Sequence, residues 1–278
     1  MIFTVYLLVF VFGLVIGSFI NCLVWRLHKK QTILGRSYCP HCKHQLAWHD
    51  NIPLFSFIFL RGRCRYCAKP ISMQYPAVEL MTGLLFMLAF YHNFQFEFLN
   101  FNLISNSKFP IINFLSLIRD WFLISVMVII FIYDLRWYLI LDVITLPSIA
   151  LVLILNFFIN LLSNDMALSD SYWQQLLISV IIGAGFFLLQ FVISKGRWIG
   201  GGDIRLGLLM GVALGWPDIL VALFIAYLAG AIIGIGLILI GKKKWGSEIP
   251  FGIFLSAATL VTLFFGNFIL DWYLNMLA

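Results

Sequence analysis

Long apolar runs separated by short polar segments dominate the chain, and they predict its fold class. A helix needs about 20 apolar residues to cross a bilayer. Eight runs approach or exceed this length, at about 2–25, 78–98, 113–133, 143–163, 174–194, 204–216, 218–241 and 249–270. The sixth run is short, so we expect a bent or partly re-entrant helix there. The pattern predicts an all-α polytopic membrane protein with about eight transmembrane helices.

Composition supports this class, because 62% of the 278 residues are hydrophobic and only 11% are charged. Soluble domains carry about 25% charged residues. The first run has no basic segment before it and no small-residue cleavage site before Arg26. We therefore expect a retained first transmembrane helix (1–25) and not a cleaved signal peptide. The net charge of +6 follows from membrane topology, and we expect no nucleic-acid partner.

The positive residues predict the orientation of the chain. Nine Lys and Arg residues lie in 26–77, and others follow the third and seventh runs or flank the sixth. In this way 16 of the 18 fall on one side of the predicted membrane, the exceptions being Lys108 and Arg119. Cytoplasmic segments carry the excess of Lys and Arg. We expect 26–77 to be a cytoplasmic insert, both termini to be outside, and 78–278 to form the main transmembrane domain.

The insert contains two Cys-x-x-Cys pairs separated by 21 residues, namely Cys39, Cys42, Cys64 and Cys67. This spacing is typical of a zinc ribbon, in which four thiolates surround one tetrahedral ion. Four sulfur ligands leave no open coordination position, which favours a structural Zn²⁺. A segment of this size buries little core, so a metal suits its folding.

Three alternatives concern the cysteines. Two disulfides are disfavoured, because the cytoplasm is reducing. A nearby histidine, His41, His44 or His49, is a possible replacement ligand, although four cysteines are present. The fifth cysteine, Cys22, lies in the first apolar run, where a small buried side chain is the simplest interpretation.

Two aspartates are the candidate catalytic residues. Asp203 follows Gly200, Gly201 and Gly202, and Asp134 ends the third apolar run. The predicted topology places both carboxylates at the cytoplasmic membrane face. Two adjacent carboxylates share a proton, so an ionised one activates water while a protonated one donates to a scissile carbonyl. Glycines next to Asp203 allow close approach of another backbone.

Structural interpretations of these acids stay open at the level of sequence. Asp134 is equally well explained as a helix-end charge paired with Arg136, and Asp203 as an N-cap of the sixth helix. Asp142 opens the fourth apolar run, with Pro147 one turn further in. For this residue we favour helix capping over catalysis.

An ordered set of motifs resembles the type IV prepilin peptidases, the bacterial leader peptidase/N-methyltransferases. The resemblance runs nearly end to end. Its carriers are Gly17-Ser18-Phe19-Ile20-Asn21, Trp25-Arg26-Leu27, the two cysteine pairs around Asn51-Ile52-Pro53-Leu54, Tyr75-Pro76-Ala77-Val78-Glu79-Leu80, the segment from Asp134 to Asp142-Val143-Ile144-Thr145-Leu146-Pro147, Gly200-Gly201-Gly202-Asp203 and Ile249-Pro250-Phe251-Gly252. The GxGD segment alone is weak evidence, whereas the ordered set is specific.

The resemblance implies an aspartic endopeptidase of the inner membrane, with Asp134 and Asp203 as the catalytic pair in domain 78–278 and with Gly200 and Gly202 supporting it. It implies cleavage of a short basic leader after a glycine in prepilins or pseudopilins, on the cytoplasmic side. The new N-terminal residue, usually Phe, is then N-methylated from S-adenosylmethionine. Such subunits serve pilus assembly, type II secretion or DNA uptake, which the sequence does not distinguish.

The methyltransferase assignment depends on the resemblance, since members with the cysteine insert are bifunctional. The chain carries no Rossmann-type fingerprint, and the sequence does not assign residues to the S-adenosylmethionine site. Glu79 is a candidate to bind a substrate or cofactor cation, or it is a first-turn helix charge. Two departures from the family pattern are Leu141, where Pro is common, and Arg205, where Lys is frequent.

Three competing functions remain. One is a GxGD peptidase without methyltransferase activity. Another is a non-enzymatic membrane scaffold that docks partners through its zinc ribbon. The third is a transporter, which is disfavoured because transporter ion sites lie near the bilayer midplane and the two acids are predicted near one face.

Overall fold

The structure is a computed structural model that describes residues 2–99, 109–163, 170–244, 247 and 249–277. The α-helices are α1 (Ile2–His28), α2 (Phe55–Phe59), α3 (Gln74–Leu99), α4 (Phe109–Trp137), α5 (Asp142–Ser163), α6 (Asp170–Ser194), α7 (Gly201–Leu214), α8 (Asp218–Leu239) and α9 (Gly252–Leu277). A short 3₁₀ helix covers Trp48–Asn51. The chain forms two compact units, Met1–Phe94 and Gln95–Ala278.

All eight predicted transmembrane segments coincide with helices. Within the described ranges, seven helices are long and apolar enough to cross a membrane, namely Phe3–His28, Gln74–Phe94, Ile111–Trp137, Asp142–Ser163, Tyr172–Ser194, Asp218–Leu239 and Gly252–Met276. The predicted sixth segment is α7, whose 14 residues are too few for a complete crossing. The prediction of an all-α, multi-pass membrane protein is confirmed.

In the first unit, glycines bring α1 and α3 into close contact. A methyl group on Gly13 would lie 2.7 Å from the Cα atom of Gly83, and one on Gly17 would lie 2.8 Å from that of Glu79. Small residues four apart allow this approach between membrane helices. Between the two helices the chain forms the insert. Arg26, 6% exposed, orders its first loop by donating to the carbonyls of Thr32, Ile33, Gly35 and Arg36.

The second unit is packed around α7. This helix buries Leu206, Leu209 and Met210 among side chains of α4, α5, α6, α8 and α9. Its contact with α6 is so close that a methyl group on Gly183 or on Gly207 would collide with the carbonyl oxygen of the other residue. Packing this close opposes rotation and sliding of α7 against α6.

Side chains from neighbouring helices satisfy the carbonyls at the end of α7. The hydroxyl group of Ser179 in α6 donates to the Gly211 carbonyl at 2.6 Å, and the Asn156 amide in α5 donates to the Val212 carbonyl at 2.8 Å. The last four carbonyls of a helix lack partners within the helix, and leaving them buried and unpaired is costly. The Gly215 amide also donates to the Gly211 carbonyl, at 3.1 Å. Together these bonds allow α7 to end inside the helical core.

Candidate functional site

The four cysteines of the insert lie together. Their sulfur atoms all fall within 4.8 Å of one another, and the Cys39 and Cys67 Sγ atoms are 3.9 Å apart. A tetrahedral zinc ion with Zn–S bonds of about 2.3 Å requires sulfur separations of about 3.8 Å. The four sulfurs are therefore close to the separations that one such ion needs.

Each cysteine pair adopts the same backbone turn. The Cys39 amide donates to the His44 carbonyl, and the Cys64 amide donates to the Lys69 carbonyl, each at 2.9 Å. The residue four positions after each of these cysteines, Lys43 or Ala68, has a positive φ of 58° or 56°. The two turns place both sulfurs of each pair on the same side, facing the other pair.

The electrostatics of the cluster also suit a cation. Burial opposes ionisation of Cys39, but hydrogen bonds from the backbone of Cys42 and His41 outweigh it and lower the pKa of the thiol to about 7. The Lys69 amide favours the Cys67 thiolate, but burial and the neighbouring thiols outweigh it and raise that pKa to about 11. Four thiolates repel one another in so small a space, and a divalent metal relieves this repulsion.

The histidine alternatives lie outside the four-sulfur group. The imidazole ring of His44 packs on the Tyr66 ring in a tilted arrangement, with 3.7 Å between centroids and 35° between the ring planes. His49 lies beside the Asp50 carboxylate at 3.6 Å, and Arg65 also pairs with that carboxylate. The Arg65–Asp50 pair joins the 3₁₀ helix to the second cysteine turn, and the His44–Tyr66 contact joins the two cysteine turns.

Asp134 lies near the end of α4, only 4% exposed, with its carboxylate at the beginning of α9. Its Oδ2 atom accepts a hydrogen bond of 3.1 Å from the Ile253 backbone amide, and the Gly252 amide also contributes. A helix N-terminus has unpaired N–H groups and a partial positive charge, so it stabilises a carboxylate. The expected pairing with Arg136 is not found among the described ion pairs, and the Arg136 guanidinium lies over the Trp137 ring.

Asp203 lies in the first turn of α7, outside the seven candidate spans. Asp203 is not the N-cap of this helix, as the structural interpretation expected, because Gly200 occupies that position and Asp203 is the third helical residue. Its Oδ2 atom accepts a hydrogen bond of 3.1 Å from the Gly200 amide, so it still stabilises the helix start. Burial raises the pKa of Asp203 to about 6, and the negative charge of Asp134 adds to this increase against the opposing Gly200 hydrogen bond. A carboxyl group with such a pKa can hold or release a proton near neutral pH.

The two aspartates are therefore close enough to interact electrostatically. Ile140 packs beside two glycines near them, Gly202 and Gly252. A methyl group on Gly202, next to Asp203, would lie 2.9 Å from the Ile140 Cβ atom. One on Gly252 would lie 2.8 Å from the Asp134 Oδ2 atom and 3.2 Å from the Ile140 Cδ1 atom. Glycine at both positions leaves room for Ile140 and the carboxylate. Gly200 has no such contact, but it donates the hydrogen bond to Asp203.

Asp142 is not grouped with this pair. It is the first residue of α5, half exposed, and it forms an ion pair with Arg205 of α7. This contact joins the two positions where α5 and α7 begin. Arg205, which stands where the family frequently has Lys, thus has an acidic partner in this chain.

Glu79 is buried in the first unit and not displayed at a helix end. Its Oε2 atom accepts a hydrogen bond of 2.8 Å from the Leu54 amide, and the Ser18 hydroxyl also bonds to the carboxylate. Leu54 directly precedes α2 and has a positive φ of 61°. Glu79 thus holds the insert against α1 and α3.

Sequence reasoning missed several residues near the aspartates. Tyr227 of α8 interacts electrostatically with Asp203, and its hydroxyl group donates to Gln190 at 3.0 Å. Its ring also contacts the Phe251 ring, with 4.9 Å between centroids. In the sequence, Tyr227 stands out as a polar side chain in an otherwise apolar run. Its proximity to Asp203 becomes evident only in the folded structure.

The charge count assigns Arg119 to the outer side of the membrane, although it falls within the third apolar run (113–133), and the structure places it inside α4. It pairs with the buried Asp120 at 2.8 Å and donates to the Asn156 side chain at 3.1 Å. Asn156 in turn holds the end of α7. A charged residue can remain inside a membrane helix when an adjacent acid neutralises it, which is the case here.

Two family models match the chain. Residues 11–93 match the Bacterial Peptidase A24 N-terminal domain, and residues 121–235 match the Type IV leader peptidase family. The first match covers the cysteine insert, and the second covers both aspartates. No solved structure matches the chain.

Curated relatives agree over nearly the whole length. The prepilin leader peptidase/N-methyltransferase of Legionella pneumophila is 32% identical, with 97% of this chain and 94% of the relative aligned. The protein of the same name from Bacillus subtilis is also 32% identical, with 97% and 98% aligned. The one from Aeromonas hydrophila is 31% identical, with 96% and 93% aligned. The chain therefore belongs to the type IV leader peptidase family.

Proposed function

We propose that this chain removes the leader of prepilins or pseudopilins with the Asp134–Asp203 pair and then methylates the new N-terminus. The observation behind this proposal is the proximity of the buried Asp134 carboxylate to the half-buried Asp203 carboxylate. They come from different helices, and each lies at a helix N-terminus that favours its ionised form. Their mutual repulsion favours a state with one proton between them.

In the proposed reaction, the ionised carboxylate takes a proton from a water molecule, which attacks the scissile carbonyl. The protonated carboxyl group donates to the carbonyl oxygen as the tetrahedral intermediate forms. The first carboxyl group, which now holds the proton taken from water, gives it to the leaving nitrogen, and the other carboxylate recovers its proton from a hydroxyl group of the intermediate. The intermediate thereby collapses to the leader carboxylic acid and a free amine on the mature subunit. Asp134 is the better candidate for the ionised base, because two backbone amides at the start of α9 bond to it. Asp203, with its raised pKa, suits the protonated partner.

The second activity follows from the names of the relatives, which are leader peptidase/N-methyltransferases. S-adenosylmethionine is the methyl donor that this activity implies. The amine released by cleavage is the group that accepts the methyl. Pilin-like substrates supply such an amine at the start of an apolar helix, as the resemblance implies.

The insert at 26–77 is proposed to bind one Zn²⁺ through Cys39, Cys42, Cys64 and Cys67. The sulfur separations and the two matching turns support this ligand set. The ion would hold the two turns together, because the insert has little apolar core of its own. With four sulfurs bound, a catalytic role for the metal is not proposed.

We further propose that the chain lies in the bacterial inner membrane with both termini outside and 26–77 in the cytoplasm. Basic residues before α7 and after α8 support this orientation. It requires α7 and residues 215–217 to return the chain toward the outer side. The domain division then comprises the first helix (1–25), the zinc-binding insert (26–77) and the peptidase domain (78–278).

The experiment is cleavage of a prepilin with a basic leader by the purified protein, wild type beside Asp203→Asn, with product masses measured in the presence of S-adenosylmethionine. We expect wild type alone to release the leader and to add one methyl group to the product. Cleavage by the Asn variant would refute the aspartate pair. Cleavage without added mass would favour a peptidase that lacks methyltransferase activity. A folded, metal-loaded wild type without any cleavage would instead favour a scaffold.

A further inference from the structure

The short helix α2 in the insert presents an apolar face to its surroundings. Phe55, Ile58 and Phe59 have exposed fractions of 58%, 67% and 81%. Their spacing of three and four residues places them on one side of the helix. Phe57 points elsewhere and packs against Gly62, 3.1 Å from the position of an added methyl group. The exposed face of α2 is therefore not used in the internal packing of the insert.

A hydrogen bond fixes this helix near the membrane boundary. The Leu54 amide at the start of α2 donates to Glu79 at 2.8 Å. Glu79 lies inside the candidate span Gln74–Phe94, five residues from its first residue. Five residues of helix correspond to about 7.5 Å. The start of α2 is thus held at the level of the first turns of a membrane helix, where exposed apolar side chains meet lipid.

The charged residues around α2 indicate which kind of partner its apolar face would bind. Residues 26–77 contain nine Lys or Arg residues and a single acid, Asp50, which Arg65 pairs. Arg61 and Arg63 lie two and four residues after the end of α2, and both are exposed. Basic residues beside an apolar helix face bind anionic lipid headgroups. The same charges repel a basic leader peptide, so the substrate's leader does not suit this surface.

We propose that Phe55, Ile58 and Phe59, with Arg61 and Arg63, form a lipid-binding surface that rests on the anionic headgroups of the adjacent leaflet. The three apolar side chains enter the headgroup–acyl boundary, and the two guanidinium groups bind lipid phosphates. The insert is then attached to the membrane at α2 in addition to its connections to α1 and α3. This inference does not depend on catalysis by the aspartates.

The test uses the full-length protein in phosphatidylcholine vesicles with or without phosphatidylglycerol. Phe59 is replaced by the photoreactive residue p-benzoylphenylalanine, and cross-linked products are identified by mass spectrometry. The matched control carries the same residue in place of Phe57, which lies in the same helix and packs inward. We expect lipid adducts at position 59 in vesicles with phosphatidylglycerol, and adducts within the chain at position 57.

A second arm tests the charges. Arg61→Glu/Arg63→Glu in the position-59 protein is expected to lower the lipid-adduct yield by about fivefold or more, since each basic residue near an anionic surface contributes to binding. Bound metal is measured in every variant to verify that the insert remains folded. Equal lipid labelling at positions 57 and 59, or adducts at 59 with an added prepilin in place of lipid, would overturn the proposal. Equal yields with and without phosphatidylglycerol would overturn the assignment to anionic lipid.

Discussion

The carboxylate of Asp134 accepts a hydrogen bond from the backbone amide of Ile253, 119 residues later in the chain. The contact joins the end of α4 to the beginning of α9. It directs the carboxylate by means of backbone groups, whose positions are fixed by a long helix. Preorganised donors of this kind keep a catalytic acid or base in place without the freedom of a side-chain partner.

Gly252→Ala is expected to lower kcat for leader cleavage by about 100-fold, because misplacement of a catalytic group by about 1 Å has an effect of this size. The new methyl group would lie 2.8 Å from the Asp134 Oδ2 atom and would displace the carboxylate. Cleavage rates of purified variants provide the measurement. Gly236→Ala in α8 is the control, since a methyl group there has no neighbour within 4 Å. Equal activity of the two variants would contradict the prediction.

The adjacent glycines of the GxGD segment should differ in their tolerance of a methyl group. Gly202→Ala meets the Ile140 Cβ atom at 2.9 Å, whereas Gly201→Ala meets nothing within 4 Å. We expect the first to lower cleavage at least tenfold through movement of Asp203, and the second to retain nearly full activity. Parallel cleavage assays decide this, with thermal unfolding showing that both proteins fold. The reverse order of activities would exclude Ile140 as the cause.

Asp142→Asn is expected to change the cleavage rate by less than about fivefold, because a half-exposed ion pair contributes at most about 1 kcal/mol. Its partner Arg205 would lose one contact and remain solvated. The variant therefore serves as the matched acid control for Asp134→Asn and Asp203→Asn in the same assay. Complete inactivity of a folded Asp142→Asn protein would contradict this prediction and would indicate that Asp142 takes part in catalysis.

Cys42→Ser should lower zinc affinity by more than about 100-fold, since loss of a ligand exceeds the effect of altering a residue around the ligands. The four sulfur atoms lie within 4.8 Å of one another, so under the proposed ligand set each would bind the same ion. Zinc content after dialysis against a chelator measures the effect. Cys22→Ala is the control, because Cys22 lies in α1, outside the sulfur group. We expect it to retain about one zinc ion per chain.

Glu79→Gln and Glu79→Ala separate a structural role from cation binding. Gln keeps an oxygen that can accept the Leu54 hydrogen bond, whereas Ala leaves that amide unpaired, which costs about 1–3 kcal/mol when the group is buried. We therefore expect normal activity and insert stability for Gln, and faster proteolysis of residues near α2 for Ala. Loss of methylation in a stable Gln variant would show instead that the negative charge itself is needed.

The apolar runs predicted the helices well, because membrane helices need long uninterrupted apolar segments. The spacing of the cysteines likewise predicted that their four sulfur atoms lie in one group. The surroundings of the aspartates were not predictable in the same way. Ile140 lies in a short connection after α4, and its significance depends on two glycines 62 and 112 residues further along the chain. Gly252 was part of a recognised motif, yet its contact with Asp134 requires the folded arrangement of α4 and α9.

Arg119 illustrates another limit of sequence patterns. A charge count assigns a basic residue to a loop, and it does not detect an acid and an amide that neutralise the same residue inside a helix. Here Asp120 is adjacent in sequence, but Asn156 lies on another helix. Burial of the Arg119 guanidinium depends on both Asp120 and Asn156, so it becomes evident only from the packing of α4 against α5.

The interlocking contact of Gly183 with Gly207 has a consequence for substrate choice. Close packing of α7 against α6 opposes sliding and rotation of the helix, so we expect Asp203 to stand at a constant height relative to the membrane surface. A substrate that is itself anchored by an apolar helix presents each of its peptide bonds at its own height. The protein would then select the peptide bond to cut partly by its distance from the lipid surface. The side chains around that bond would contribute correspondingly less to substrate specificity.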